Sequence, residues 1–232
     1  MELHVLPDRT GDAAANMAAD FLLLQRYPHD NAVRLRHYAW ARPAFTFGYA
    51  QPIAFVRAQL PPIAPLDLTR RATGGGLVDH RDDWTYALVL PRAHPLFDRP
   101  GPAIYAQVHE ALAQVLSTLG APVALQRDAP TAAAGVCFVR AEIGDVVRVD
   151  DGRKAAGAAL KRGKRGLLLQ GSIARAALPE ITDWTRVGDA FSTGLATALQ
   201  TGLTHASWPE FVPGEEEGLI EQYSSPEWIE RR

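Results

Sequence analysis

Apolar residues recur at helical spacing from Asn16 to Tyr27 (NMAADFLLLQRY), with Asp12 or Asn16 available as the N-cap, and this spacing predicts a helix. Val33 to Tyr38 alternates apolar and polar positions, and Ala44 to Tyr49 is short and aromatic; both predict strands. Two further strands are expected at Asp67 to Arg71 and Trp84 to Leu90, with a glycine-rich turn between them. The clearest helical stretch, Ile104 to Leu119, sets Ile104, Val108, Leu112, Val115 and Leu119 on one face, and Gly120 supplies its stop.

The second half continues in the same style. Asp145 to Val149, a turn at Asp150-Asp151-Gly152, and Lys154 to Leu160 make a hairpin signal, because Asp-Gly favours positive φ. Gly166 to Ile173 predicts another strand, about Asp183 to Leu203 a second long helix, and Gly214 to Arg232 a short helix or loop. Ala129 to Gly135 (APTAAAG) is small and flexible and reads as a loop over a site. Strands grouped in hairpins with helices between them indicate an α+β fold, a mixed or antiparallel sheet flanked by helices. No linker, repeat or low-complexity tract divides the 232 residues, so a single domain over 1–232 is expected.

Composition narrows the class. A chain of this length buries enough surface to need no disulfide or metal staple. Lys and Arg number 24 against 26 Asp and Glu, a formal charge of −2 that argues against a general nucleic-acid binder. The single cysteine, Cys137, excludes an intramolecular disulfide and a multi-cysteine zinc site. No apolar run is long enough to span a membrane. Asp8, Asp12 and Asp20 interrupt the N-terminal region where a signal peptide would be continuously apolar, so a cytoplasmic setting is expected. The seven histidines are dispersed without metal-ligand spacing, and no Gly-x-Ser-x-Gly elbow is present.

Three strings carry candidate chemistry. In Arg70-Arg71-Ala72-Thr73-Gly74-Gly75-Gly76-Leu77-Val78-Asp79-His80, three glycines let backbone approach a ligand, and two arginines offer charge-assisted hydrogen bonds to an anion. A flexible hairpin with two solvated arginines is the plain alternative. The string is neither a P-loop nor the dinucleotide pattern. In Gly152-Arg153-Lys154-Ala155-Ala156-Gly157-Ala158, a lysine enters a strand of very small residues that leave room for a slender ligand, or else forms a basic surface hairpin. Cys137, in Gly135-Val136-Cys137-Phe138, is either an inert small core residue or a nucleophile that needs a cation beside it.

Together these segments resemble the cofactor-transferase superfamily of lipoate–protein ligases, octanoyltransferases and biotin–protein ligases. The likeness runs from Asn16 to about Ile173. Asn16 to Asp20 is similar to the early helix pattern, and Phe45 to Gln51 to the strand that follows the first pair. The RRxTGGG…H signature stands at Arg70 to His80, Trp84-Thr85-Tyr86 resembles the LTYS strand, and GxKxxG stands at Gly152 to Gly157. Gln170-Gly171-Ser172-Ile173 occupies the HGSI place, with Gln for His, and Leu77-Val78-Asp79 replaces the common Ala-Val. Tyr223 to Arg232 is similar to the family's Y…EW close. Biotin ligases carry a differently spaced GRGR-type loop. Cysteine-dependent octanoyltransferases show Cys-Phe a few residues before an acidic strand-opening position, as Cys137-Phe138 stands before Asp145.

The resemblance implies an α+β catalytic domain without the accessory domain of some ligases. It implies that Cys137 and Lys154 are catalytic, and that Arg70, Arg71, Thr73, Gly74, Gly75, Gly76, His80, Asp145, Gly157 and Ala158 shape the substrate pocket and its anion-binding wall. The implied reaction moves an octanoyl group from octanoyl-acyl-carrier protein to a lysine of lipoyl-domain proteins, with no metal or cofactor. Two alternatives stay open. One is a ligase that uses ATP and Mg2+ to activate free lipoate or octanoate; the other is a non-catalytic binder of acyl groups or lipoyl domains. No nucleic acid or membrane partner is implied.

Overall fold

The computed structural model describes residues 1–29, 31–62, 66–128 and 141–231. The chain opens on β1 (Glu2–Gly11) and α1 (Ala13–Gln25), whose N-cap Asp12 accepts the Ala15 N–H at 2.9 Å. There follow β2 (Ala32–Trp40), β3 (Ala44–Phe47), the short α2 (Ile53–Arg57), β4 (Asp67–Arg70), β5 (Leu77–Asp79) and β6 (Asp83–Pro91). The second half holds α3 (Gly101–Thr118), β7 (Val123–Leu125), β8 (Val146–Arg148), β9 (Lys154–Arg162) and β10 (Gly166–Ala174). The last elements are α4 (Trp184–Leu199), β11 (Gly202–His205), α5 (Glu215–Ser224) and α6 (Pro226–Ile229).

These strands form two sheets. The larger runs β11-β1-β2-β6-β10-β9-β8-β7, parallel among β11, β1 and β2 and antiparallel elsewhere; the smaller is β4-β3-β5. The fold is thus α+β with a mixed sheet flanked by helices. The apolar runs of β6 and β10 follow from cover on both faces. Leu88, Leu90, Leu167 and Leu169 pack with Ile104, Leu112, Phe191 and Leu195 of α3 and α4. Ala87, Val89 and Leu168 point the other way, toward Met17 and Leu24 of α1 and Tyr223 of α5.

Three departures from the sequence expectations have physical reasons. The helix predicted to Leu203 stops at Leu199, where Gln200 takes a left-handed φ of 55°, and Gly202–His205 pairs with β1 as an edge strand. The glycine-rich stretch does not join a hairpin: β4 lies in the smaller sheet, β6 in the larger, and β5 between them pairs with β3. β1 was not anticipated, because polar residues at Asp8 and Arg9 break its alternation at a bulge. The Asp-Gly turn does join β8 to β9, with Gly152 at φ 72°.

The polar positions of β2 are not a solvent face, because α1 covers them. Arg36 is 1% exposed and its Nε donates to Asp20 Oδ1 at 2.6 Å; its Nη2 donates to the Asn16 carbonyl at 2.7 Å. Removing one partner of a buried pair strands the other charge away from water. Asp20→Ala is therefore expected to cost about 3–5 kcal/mol of unfolding free energy in urea titration. The double variant D20L/R36M should lose less than D20A. A D20A loss within about 0.5 kcal/mol, the ordinary range of a surface substitution, would contradict this assignment.

Candidate active site

A cleft of about 660 Å³ opens between β9 and β10 on one side and the smaller sheet on the other. Lys154, Asp145, Gly75, Gly76, His80, Gly157 and Ala158 all line it. Among the described residues no cluster of His, Cys, Asp and Glu could hold a metal ion, and no helix is long and apolar enough to cross a membrane.

Lys154 begins β9, and its Nζ lies 2.8 Å from Asp145 Oδ2. The same carboxylate oxygen accepts the Glu142 N–H at 2.7 Å, and the Asp145 N–H donates to the Glu142 carbonyl at 3.0 Å, so a tight turn presents the acid to the lysine. Buried His109 of α3 holds that turn by a hydrogen bond between Nδ1 and the Gly144 carbonyl. The small residues of β9 now acquire a reason. A Cβ at position 157 would stand 2.4 Å from Lys154 Cε and 2.5 Å from Nζ, so any side chain there would push the lysine's flexible end away from the place where it meets Asp145. Tyr105 lines the cleft nearby; burial, then the Asp145 charge, pushes its phenol up to about 12 and keeps it neutral near pH 7.

The two arginines do different work from the one their sequence implied. Arg70 is 1% exposed and does not line the cleft. It donates to the carbonyls of Tyr49, Gln51, Trp228, Ile229 and Arg231 at 2.6–3.1 Å, which occupies all the N–H groups a guanidinium has. It is a clamp on the C-terminal segment, not an anion contact. Trp228 answers it by donating its indole N–H to the Arg70 carbonyl at 2.8 Å. Arg71 lines the cleft but also turns inward, donating to Thr46 Oγ1 at 2.9 Å and to the carbonyls of Gly74 and Gly76 at 2.8 and 3.0 Å. Burial lowers its pKa to about 10, still cationic near neutrality.

The glycine loop is therefore held by its carbonyls. Gly75 sits at φ 87°, and a Cβ at Gly48 would fall 2.0 Å from the Gly75 oxygen, so β3 and the loop are in backbone contact. Gly74 is exposed and does not itself line the cleft. Thr73 is buried behind the wall, donating to Gln170 Oε1 at 2.7 Å; Gln170 Nε2 in turn donates to Asp20 Oδ2 at 2.6 Å. His80 bridges Thr46 Oγ1 at 2.8 Å and Asp83 Oδ2 at 2.7 Å. Burial pushes the Asp83 carboxyl up, but His80 and the hydroxyls of Ser172 and Thr85 more than offset it and hold it below its ordinary value. Cys137 lies outside the described residues, as does the Ala129–Gly135 loop.

Sequence reasoning did not place Gln170, Asp83, Tyr105, Phe55 or Ile143 in the cleft, though all line it. Gln170 was visible as the polar residue inside an apolar strand. Phe55 and Ile143, 51% and 57% exposed at the rim, carried no signal beyond being apolar in loop-like surroundings.

The Arg70 clamp can be tested. A hydrogen bond to a charged group is worth about 1.5–3 kcal/mol. Arg70→Met is thus expected to speed limited proteolysis within residues 225–231 by about tenfold or more. Arg70→Lys should not restore protection, since an ammonium has three donors for five carbonyls. Unchanged cleavage in Arg70→Met would refute the clamp.

Residues 12–177 match the model of the lipoyl protein ligase A/B catalytic domain. Octanoyltransferase LipM of Moorella thermoacetica is 35% identical over 179 residues, which take in 73% of this chain. The chain spans 64% of that relative, a little under two thirds of its length. Among solved structures, a bi-partite lipoate protein ligase from Thermoplasma acidophilum superposes with TM-score 0.71 at 18% identity, over 99% of this chain and 96% of that one. A lipoate-protein ligase A bound with ATP gives TM-score 0.70 at 19% identity, over 99% of both chains. At these identities the two structures establish the fold, while the match over residues 12–177 establishes kinship: the chain belongs to the lipoyl protein ligase A/B catalytic domain family.

Proposed function

We propose that this chain is an acyltransferase that moves an octanoyl group from octanoyl-acyl-carrier protein to a lysine of lipoyl-type domains, through a thioester on Cys137. The observation that carries the reading is the Lys154 ammonium, fixed on Asp145 inside a cleft walled by alanines and glycines. The likeness to octanoyltransferase LipM supports octanoyl transfer in particular.

In the first step the Cys137 thiolate attacks the donor thioester carbonyl; the S–C bond to Cys137 forms, and the carrier leaves as a thiol after taking up a proton. In the second, the neutral amine of the acceptor lysine attacks the enzyme thioester. The amide bond forms, the C–S bond breaks, and the amine's proton returns to solvent or to sulfur. Lys154 stabilises the oxyanion that develops on the acyl oxygen in both steps, and its charge favours the Cys137 thiolate. Gly157 and Ala158 leave the acyl chain its space on the β9 wall, while Gly75, Gly76 and His80 close the opposite side. No metal or cofactor enters these steps.

A second reading follows from the ATP-bound ligase with the same fold. There, free lipoate or octanoate is activated with ATP and Mg2+, and Lys154 meets the α-phosphate and carboxylate oxygens. The engagement of Arg70 with backbone carbonyls, and of Arg71 with two carbonyls and the Thr46 hydroxyl, weighs against it, because it leaves the Arg-Arg pair little to offer a triphosphate.

Incubation with octanoyl-acyl-carrier protein is expected to add one octanoyl group to the protein by intact mass. The adduct should be labile to hydroxylamine and absent in Cys137→Ala, with Cys137→Ser far slower because a hydroxyl is scarcely ionised at neutral pH. An acyl adduct of equal yield in Cys137→Ala would reject the thioester route.

Lys154→Ala should lower transfer by orders of magnitude, and Lys154→Arg should fail as well, because a planar guanidinium does not fit an ammonium's site. Gly157→Ala should also lower transfer while keeping its melting temperature, since the clash displaces the flexible end of a partly exposed lysine rather than the core. Wild-type rates in Lys154→Ala or Gly157→Ala would contradict the role given to the pair.

A further inference from the structure

Several exposed cations of the described residues are ion-paired, among them Arg26, Arg42, Arg57, Arg81, Arg127 and Arg153. The cations gathered at the far end of the β9–β10 hairpin are not. Lys164 and Arg165 stand exposed in its turn. Beside them, Arg162 and Arg92 both hold their guanidiniums over Phe97, at 5.4 and 5.9 Å, and Arg162 donates to the Arg99 carbonyl. On the other side of the strand, Lys161 and Arg231 approach the Tyr49 ring at 5.6 and 5.2 Å. None of these residues pairs with a carboxylate among the described residues, and Asp98, close by in the chain, pairs with none of them.

A chain of net charge −2 has acids enough to neutralise this group, yet the fold leaves it as a patch of one sign. Like charges held together repel, and the aromatic platforms at Phe97 and Tyr49 offset only part of that cost. Such a patch is the complement of an acidic surface. It also borders the cleft. Tyr49 follows Gly48, which packs on the Gly75 oxygen, and precedes Gln51 and Phe55, which line the cleft. Ala159 lines it too, and shares its strand face with Lys161.

Distance selects the partner. Lys161 lies seven residues along β9 from Lys154, roughly 23 Å at about 3.3 Å per residue. A lysine side chain has a four-carbon stem of roughly 6 Å, so a lysine at the patch itself falls far short of Lys154. An acyl group on a long flexible thiol arm does not. Resting on the transfer reading above, we infer that the basic end of the β9–β10 hairpin docks the acidic face of the carrier protein that brings the acyl thioester. The acceptor domain approaches elsewhere.

The test measures binding apart from turnover. Fluorescently labelled octanoyl-acyl-carrier protein is titrated with the full chain at low and at moderate salt, and again with K161E/R162E/K164E/R165E. The wild-type chain should bind, with affinity that falls as salt rises. The reversed variant should bind about tenfold more weakly or worse at low salt. Its loading from a small thioester, octanoyl-N-acetylcysteamine, and its affinity for a lipoyl domain should stay within twofold of wild type. The milder K164Q/R165Q should weaken carrier binding by an intermediate factor, which separates docking from misfolding. Carrier binding by the reversed variant within twofold of wild type would overturn the inference. So would a loss that falls on the lipoyl domain instead, or duplex DNA binding the wild-type chain more tightly than the carrier. Carrier binding that the reversal abolishes, with no acylation from either donor, would support the docking surface and overturn the transfer reading beneath it.

Discussion

Arg70 closes β4 and Arg71 follows it, and their two guanidiniums go to two tasks on which the cleft depends. Arg70 collects five carbonyls from the 49–51 segment and from residues 228–231. Arg71 collects the carbonyls of Gly74 and Gly76 and the hydroxyl of Thr46. One strand end thereby fixes both the rim that leads into α2 and the glycine wall facing β9. Glycine alone would leave that wall loose, since it loses more freedom on ordering than any other residue. The arginine restores the order and leaves the loop in close backbone contact with β3.

The wall is tied further back into the core through polar contacts. Thr73 donates to Gln170, Gln170 to Asp20, and Asp20 accepts from Arg36, so a buried chain of hydrogen bonds runs from the glycine loop through β10 to α1 and β2. Networks of this kind are costly when broken and specify one arrangement when complete. Across the cleft, the Lys154–Asp145 pair is positioned by different means, a turn held by His109 and the absence of a side chain at Gly157. The two walls carry unlike burdens. One supplies shape, the other supplies charge.

Much of this was legible beforehand, for reasons that lie in particular residues. The α+β plan followed from strand runs grouped around three predicted helices, and the Asp-Gly turn before Lys154 was readable because few residues adopt its positive φ. Lys154 and Gly157 could be singled out by spacing, although the reason for that spacing, a clash at 2.4 Å, appears only in three dimensions. Arg70 was misread because charge says what a side chain can bind, not which of many carbonyls will reach it first. β11 was absorbed into a helix because Leu199 to Leu203 has no break except Gly202, and the stop at Gln200 is a matter of backbone conformation. The place of Cys137 rests on its sequence neighbourhood, as it lies outside the described residues.

The central claim is that this cleft works on an acyl thioester rather than on a free acid and a nucleotide. The most direct measurement supplies a lipoyl domain with the chain under two conditions and follows the acceptor's mass. One reaction holds octanoyl-acyl-carrier protein with ATP and Mg2+ rigorously removed; the other holds free octanoate with ATP and Mg2+ and no carrier. The account predicts an octanoylated lysine in the first and an unmodified domain in the second. Modification only in the second would contradict it.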